Sequence, residues 1–221
     1  MWRNVGNPNR PDEIPNNGSD DDGNGFIDDY YGYNFVNGGI LNRDPMDDRG
    51  HGTAVAGVIG AVGNNATGIA GVAWKVKLMA VKTIRTGGSS TNTDTFEAIN
   101  YVTMMKKNFG VNIRVINASW GETGNNDPLI EDAIEAAGEA GILFIAAAGN
   151  ALPPLNKGTN NDLAPVYPAS FQLPNIISVA ATDSHDNLAW LSNYGEASVD
   201  LAAPGVSILS TRLGGGYDLN S

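Results

Sequence analysis

The sequence predicts an α/β fold with a mostly parallel sheet and helices on both of its faces. Three observations carry this. Short, nearly continuous apolar runs recur along the chain, amphipathic stretches of helical length separate them, and cap or turn residues mark the junctions. Strands apolar at almost every position must be covered on both sides, as in parallel sheets.

Residues 1–25 are rich in Asn, Asp, Gly and Pro and read as irregular structure. "VKLMAVKTI" (76–84) is a short β-type run. "TDTFEAINYVTMMKKN" (93–108) places Phe96, Ile99, Val102 and then Met104 or Met105 at helical spacing. "IRVINASW" (113–120) is the next strand and "DPLIEDAIEAAGEAG" (127–141) the next helix. Asp127 can cap that helix, and Pro128 suits its first turn. "ILFIAAAGN" (142–150) and "NIISVAAT" (175–182) are further buried strands. In such folds ligands gather at the carboxyl ends of the strands, which directs attention to 85–90, 117–121 and 148–151. No internal repeat or linker is visible, so residues 1–221 are expected to form a single domain. An acidic insertion occupies about 18–31.

Composition removes several function classes. The net charge of −11 argues against a nucleic-acid partner, which would want a basic face. The absence of cysteine excludes a disulfide scaffold, a thiolate nucleophile and a Cys-ligated zinc. No run reaches the roughly 18 apolar residues of a membrane span. The opening "MWRNVGNPNRPDEIPNNG" shows no basic stretch followed by an apolar one, so no signal peptide is expected in it.

"DDRGHGTAVAGVIGA" (47–61) sets His51 between Gly50 and Gly52 at the head of a run of small residues. A histidine so placed can serve a nucleophile, although a lone histidine is more often a surface or capping group. "INASWG" (116–121) and "AAAGN" (146–150) each end a strand on small residues and a side-chain amide or hydroxyl. Asn150 can offer its amide to a developing oxyanion. Most Gly-Asn pairs are ordinary turns, and taken singly Asn150 reads first as a turn residue.

Taken together and in order, "DDRGHGTAVAG", "INASWG", "FIAAAGN", "YPASF…IISVAAT" and "DLAAPGVSILST" resemble the subtilisin-like serine proteases, over most of residues 32–221. The resemblance implies a subtilisin-like three-layer fold and an endopeptidase acting on polypeptides through a Ser-His-Asp triad. It makes His51 the general base and Asn150 the oxyanion donor. Ser119, Trp120 and Gly121 match the strand that pairs with substrate backbone, and Gly88 and Ser89 match the opposite edge of the cleft. Ala147, Ala148 and Gly149 match a wall of the pocket for the side chain before the scissile bond. Peptide held between two such edges is read backbone first. Trp120 is bulky for its position and would narrow the subsite it lines.

The sequence also departs from the family. No Asp-Thr-Gly or Asp-Ser-Gly ends an apolar strand upstream of His51, and Asp47 and Asp48 read as solvated loop charges. No Gly-Thr-Ser-Met follows "LGGGYDLNS", whose Ser221 matches the residue before that motif. The expectation is a catalytic-domain fragment incomplete at both ends, inactive alone, whose partners include the flanking segments of the same domain. The full-length form would be secreted. Two rival readings are a peptide-binding pseudoprotease without chemistry and a calcium-binding structural domain.

"DDDGNGFIDD" (20–29) places Asp20, Asp22 and Asn24 at alternate positions before Gly25, as in calcium loops built on hard oxygen ligands. Phe26 would offer its carbonyl and Asp28 a further oxygen, giving a structural Ca2+ site. Tyr31 stands where an EF-hand has its bidentate Glu, so the loop is closer to dockerin-type or thrombospondin-type repeats. Subtilases often use calcium for resistance to unfolding and autolysis. "GNNATGIAGVA" (63–73) resembles a second calcium loop of some members. His185 reads as an exposed turn residue, Asn65 and Asn117 imply no glycosylation, and Gly214–Gly216 are a flexible loop rather than a phosphate cradle.

Overall fold

The structure is a computed structural model that describes residues 1–7, 10–39, 43–151 and 157–220. The chain divides into two compact units, one of residues 1–98 with 209–220 and one of residues 99–208.

In the first unit β1 (Gly32–Asn34) pairs in parallel with β2 (Ala80–Lys82). Gly32 is required there, because a side-chain carbon would come within 1.8 Å of the Ala80 carbonyl oxygen. The predicted run 76–84 contracts to β2, since only residues 80–82 find a ladder partner in β1. Phe26, Tyr33 and Phe35 pack edge to face, with ring centroids 5.0–5.9 Å apart.

The helix α1 (His51–Gly60) belongs to the same unit and is built of small residues. Their purpose is close approach. Ser210 Oγ donates to the Ala54 carbonyl at 2.6 Å, and Thr211 Oγ1 donates to the Thr53 carbonyl at 2.7 Å. A side chain on Gly57 would collide with both hydroxyls.

The helix α2 (Asn92–Lys107) buries Ala98, Ile99, Tyr101, Val102 and Met105, close to the spacing read from the sequence. The second unit holds β3 (Val115–Ala118), β4 (Glu122–Thr123), α3 (Pro128–Glu139), β5 (Leu143–Ala147), β6 (Val166–Tyr167), β7 (Ile176–Thr182) and β8 (Leu201–Pro204). Its main sheet is wholly parallel, in the order β3-β5-β7-β8. The chain closes with β9 (Ile208–Thr211) and β10 (Tyr217–Asn220), a two-stranded pair.

α3 begins as expected. Asp127 accepts from the Leu129 N–H at 2.9 Å and Pro128 occupies the first turn. Ile130, Ala133, Ile134 and Ala137 form its buried stripe, and the helix packs on β5. The buried Asn175 amide donates to the Ile134 carbonyl at 2.9 Å, tying the entry of β7 to α3.

The ladder register puts Ala118, Phe144, Ala146, Ser178 and Ala180 on one buried face. Val115, Leu143 and Leu201 lie on the alternate face and remain 45–49% exposed. Phe144 is fully buried at the centre of the covered face. Phe144→Ala is expected to lower the stability of this unit by about 3–5 kcal/mol, through lost transfer energy and a residual cavity. Denaturant titration checks this, and a loss under about 1 kcal/mol would place the core elsewhere.

Candidate active site

His51 is the first residue of α1 and is exposed. Two features fix it there. Gly50 precedes it at φ 92°, a left-handed conformation that suits glycine. Asp47 then does the work of the helix cap from three residues further back. One of its oxygens accepts from the Arg49 and Gly50 N–H groups, and the other from the Thr53 N–H and hydroxyl, all at 2.7–2.9 Å. Asp48 pairs with Lys82 at 2.8 Å and accepts from the Thr86 hydroxyl. Neither acid is merely a solvated loop charge, as its place in the sequence had implied: both fasten the approach to His51.

Gly88 and Ser89 sit in an exposed turn of the same unit. The turn is closed by Arg85 N–H to the Ser89 carbonyl and Gly88 N–H to the Arg85 carbonyl, each at 2.8 Å. Arg49 packs against Gly88 and donates to the Thr86 carbonyl.

The remaining cleft candidates lie in the second unit, at the carboxyl ends of β3 and β5. Ser119, Trp120 and Gly121 follow β3, and Ser119 Oγ accepts from the Asn117 amide at 2.9 Å. β5 ends at Ala147, and the buried Ala148 donates to the Val179 carbonyl. The buried Asn161 amide also holds the Ala148 carbonyl, at 2.7 Å. Gly149 then turns the chain at φ 99°. A bridge to Ser192 fixes the Asn150 backbone while its side chain stays exposed. A groove of about 260 Å³ lies at these strand ends, on the exposed face of the sheet; it is lined by Ser119, Ala147, Gly149 and Asn150, with Val179 and Ala203 from the neighbouring strands. Trp120 and Gly121 flank it in sequence without lining it. Ser221 lies outside the described residues.

The acidic segment folds around a different group of carboxylates from the loop set alone. Glu13, Asp22 and Asp29 are buried, with ligand oxygens within 4.8 Å of one another, an arrangement able to hold a metal ion. The buried Asn4 amide donates to Asp22 and Asp29 at 2.9 and 2.6 Å, and Arg10 pairs with Asp22. Of the loop residues, only Asp22 is in this group. Asp20 accepts from the Asn24 and Gly25 N–H groups, and Asn24 accepts from the Phe26 N–H while its amide donates to Asp29. Asp28 turns to the Asn17 and Gly18 N–H groups. Burial raises the Glu13 carboxyl against the pull of three backbone N–H groups, and raises Asp22 against the nearby Arg10. The sequence signal missed Glu13 and Asp29, one outside the motif and the other at its end.

Comparison with known proteins places this architecture. The model of the subtilase family matches residues 7–221. The chain belongs to the subtilase family. This subtilase is 40% identical over 186 residues to a thermophilic serine proteinase of Bacillus sp. (strain AK1), covering 84% of the chain and 41% of that protein. It is 39% identical over 180 residues to thermitase of Thermoactinomyces vulgaris, covering 81% of the chain and 57% of thermitase. Among solved structures, a cold adapted subtilisin-like serine proteinase superposes with a TM-score of 0.69 at 31% identity, covering 86% of this chain and 60% of its own. Sphericase does so at 0.66 and 30%, covering 82% and 60%. The subtilase chain thus spans about half the length of the curated relatives it matches.

Asp47 provides the test of how α1 is held. Burial alone would raise its carboxyl, but the hydrogen bonds from Thr53, Arg49 and Gly50 outweigh that and hold it down at about 2. A depressed acid contributes stability that is complete above its unfolded value of 3.8 and disappears as pH falls through about 2. Asp47→Ala is expected to cost about 1 kcal/mol at neutral pH. Thermal melts of both forms should converge as the solution is acidified through that window; a constant difference would refute the capping role.

Proposed function

We propose that this chain is the greater part of the catalytic domain of a subtilisin-like serine endopeptidase. The observation that carries the reading is the groove at the carboxyl ends of β3 and β5, with the exposed Asn150 amide at its edge beyond a left-handed Gly149. A carbonyl carbon attacked in that groove becomes tetrahedral and its oxygen negative, and an amide donor on an anchored backbone suits that charge. His51 takes the proton of the attacking serine and returns it to the leaving amine, after which water repeats the sequence on the acyl-enzyme. Ser119–Gly121 and Gly88–Ser89 act as backbone edges for extended peptide, and Ala147–Gly149 wall the pocket before the scissile bond. The serine and the acid that orients His51 come from the rest of the catalytic domain, and the full enzyme acts outside the cell. The exposed apolar face of Val115, Leu143 and Leu201 supports further covering structure, since parallel sheets are buried on both sides.

In the full-length enzyme, Asn150→Ala should lower kcat by about 10²–10³ with little change in KM, a magnitude known from subtilisin itself and carried over here. His51→Ala should lower it by about 10⁶, again a subtilisin value. Hydrolysis of a peptide p-nitroanilide checks both, and a His51→Ala enzyme with native turnover would sink the assignment.

The second part of the reading is calcium. The donor set of Glu13, Asp22 and Asp29 is all hard oxygen, which suits Ca2+, and the single positive charge of Arg10 beside Asp22 cannot balance three buried carboxylates. The ion would supply that neutralisation and stiffen the segment against unfolding. Without metal, the raised Glu13 and Asp22 favour folding most below their ordinary values of 4.5 and 3.8, and that contribution is lost as pH rises through the folded values. Calcium at about 100 times its Kd should add about 2.7 kcal/mol of stability. Calorimetric titration should show tight binding that Glu13→Gln weakens more than tenfold. Weakening by Asp20→Asn with none by Glu13→Gln would return the ligands to the loop alone, and no heat of binding would remove calcium from the reading.

A further inference from the structure

The strand end that carries Asn150 is held by two buried asparagines. The Asn161 amide donates to the Ala148 carbonyl at 2.7 Å, and the Asn193 backbone N–H donates to the next carbonyl, that of Gly149, at 2.9 Å. Asn161 is 1% exposed and Asn193 2%. Past Asn150, the Ala151 N–H donates to the Leu191 carbonyl at 2.7 Å. The backbone is therefore tied down immediately before and after Asn150.

The segments that bear the two asparagines brace each other. The Thr159 N–H and hydroxyl both donate to Asn193 Oδ1, at 3.0 and 3.2 Å. The Asn161 N–H donates to the Tyr194 carbonyl, and the Tyr194 N–H to the Thr159 carbonyl. Asp162 accepts from the Glu196 and Ser198 N–H groups at 2.8 and 3.0 Å, so Asn161 has little freedom to follow a displaced strand. One atom of this brace is left over: Asn161 Oδ1 is buried and accepts no hydrogen bond among the described residues. A buried orphan acceptor costs stability that an apolar side chain of the same shape would not lose. What asparagine supplies at this position is its amide donor, and that donor goes to Ala148.

We propose that Asn161 is a positioning residue for the oxyanion donor. By fixing the Ala148 carbonyl against a braced segment, it sets where Gly149 turns the chain and hence where the Asn150 amide is presented. The inference rests on the endopeptidase reading, in which Asn150 donates to the developing oxyanion. A donor displaced by about 1 Å loses much of its effect in the transition state, while the binding of ground-state peptide along the strand edges is little changed.

The test uses the full-length enzyme, one peptide p-nitroanilide and a thermal melt of each variant. Asn161→Ala should lower kcat by about 10–100-fold while KM changes by less than about threefold. The same substitution in an Asn150→Ala enzyme should lower kcat by less than about threefold more, because the donor it positions is already gone. If Asn161→Ala does not fold, Asn161→Asp decides: it keeps the shape, lacks the N–H donor and should show the same split. Native kcat in folded Asn161 variants, equal losses with and without Asn150, or unfolding of both variants would overturn the positioning role alone. Native turnover by Asn150→Ala itself would remove the oxyanion assignment, and this inference with it.

Discussion

Parallel strands cannot return the chain through a hairpin, so β3, β5 and β7 must each release it at the same edge of the sheet. That constraint organises the second unit. The returning segments need helices or long loops, and the residues just past each strand are thrown together whatever their separation in sequence. Ser119 and Asn150 come to one groove for this reason. The strand ends also demand residues that tolerate sharp departures, which is why Gly149 turns the chain between β5 and Asn150. A groove at this edge is thus a product of topology, and the side chains decide what it can do.

The first unit solves a different problem, that of holding backbone and charge in confined space. α1 gives up bulk so that the hydroxyls of Ser210 and Thr211 can reach its carbonyls. At its start Asp47 gathers four donors on two oxygens. The acidic segment shows the opposite balance. Glu13 also accepts three backbone N–H bonds, but its burial is deep enough that desolvation wins. The same chemical group is held charged near His51 and pushed toward neutrality beside Asp29.

Much of this was legible in the chain. The continuous apolar runs at 142–150 and 175–182 become β5 and β7, and Asp127–Pro128 marks the start of α3 where capping rules place it. These features are local, so a local pattern can disclose them. Short pairings are not: β4 and β6 have two residues each and exist because they face one another. Glu13 stands between prolines with no periodicity around it, and only its burial against Asp22 and Asp29 reveals it. Asp47 was hidden by proximity, since four hydrogen-bond donors within six residues leave no compositional mark.

The bond from Ser210 to the Ala54 carbonyl joins residues 156 positions apart. Closing an open loop of that length carries an entropy cost of about 4–5 kcal/mol. Residues 99–208 form a compact unit of their own, so their prior folding would shorten the loop that remains. On a ribosome the segment 210–211 emerges after all of that unit, and α1 must wait for it. The helix that carries His51 is therefore among the last parts of these residues to be secured, and the order of synthesis delays the histidine's final setting.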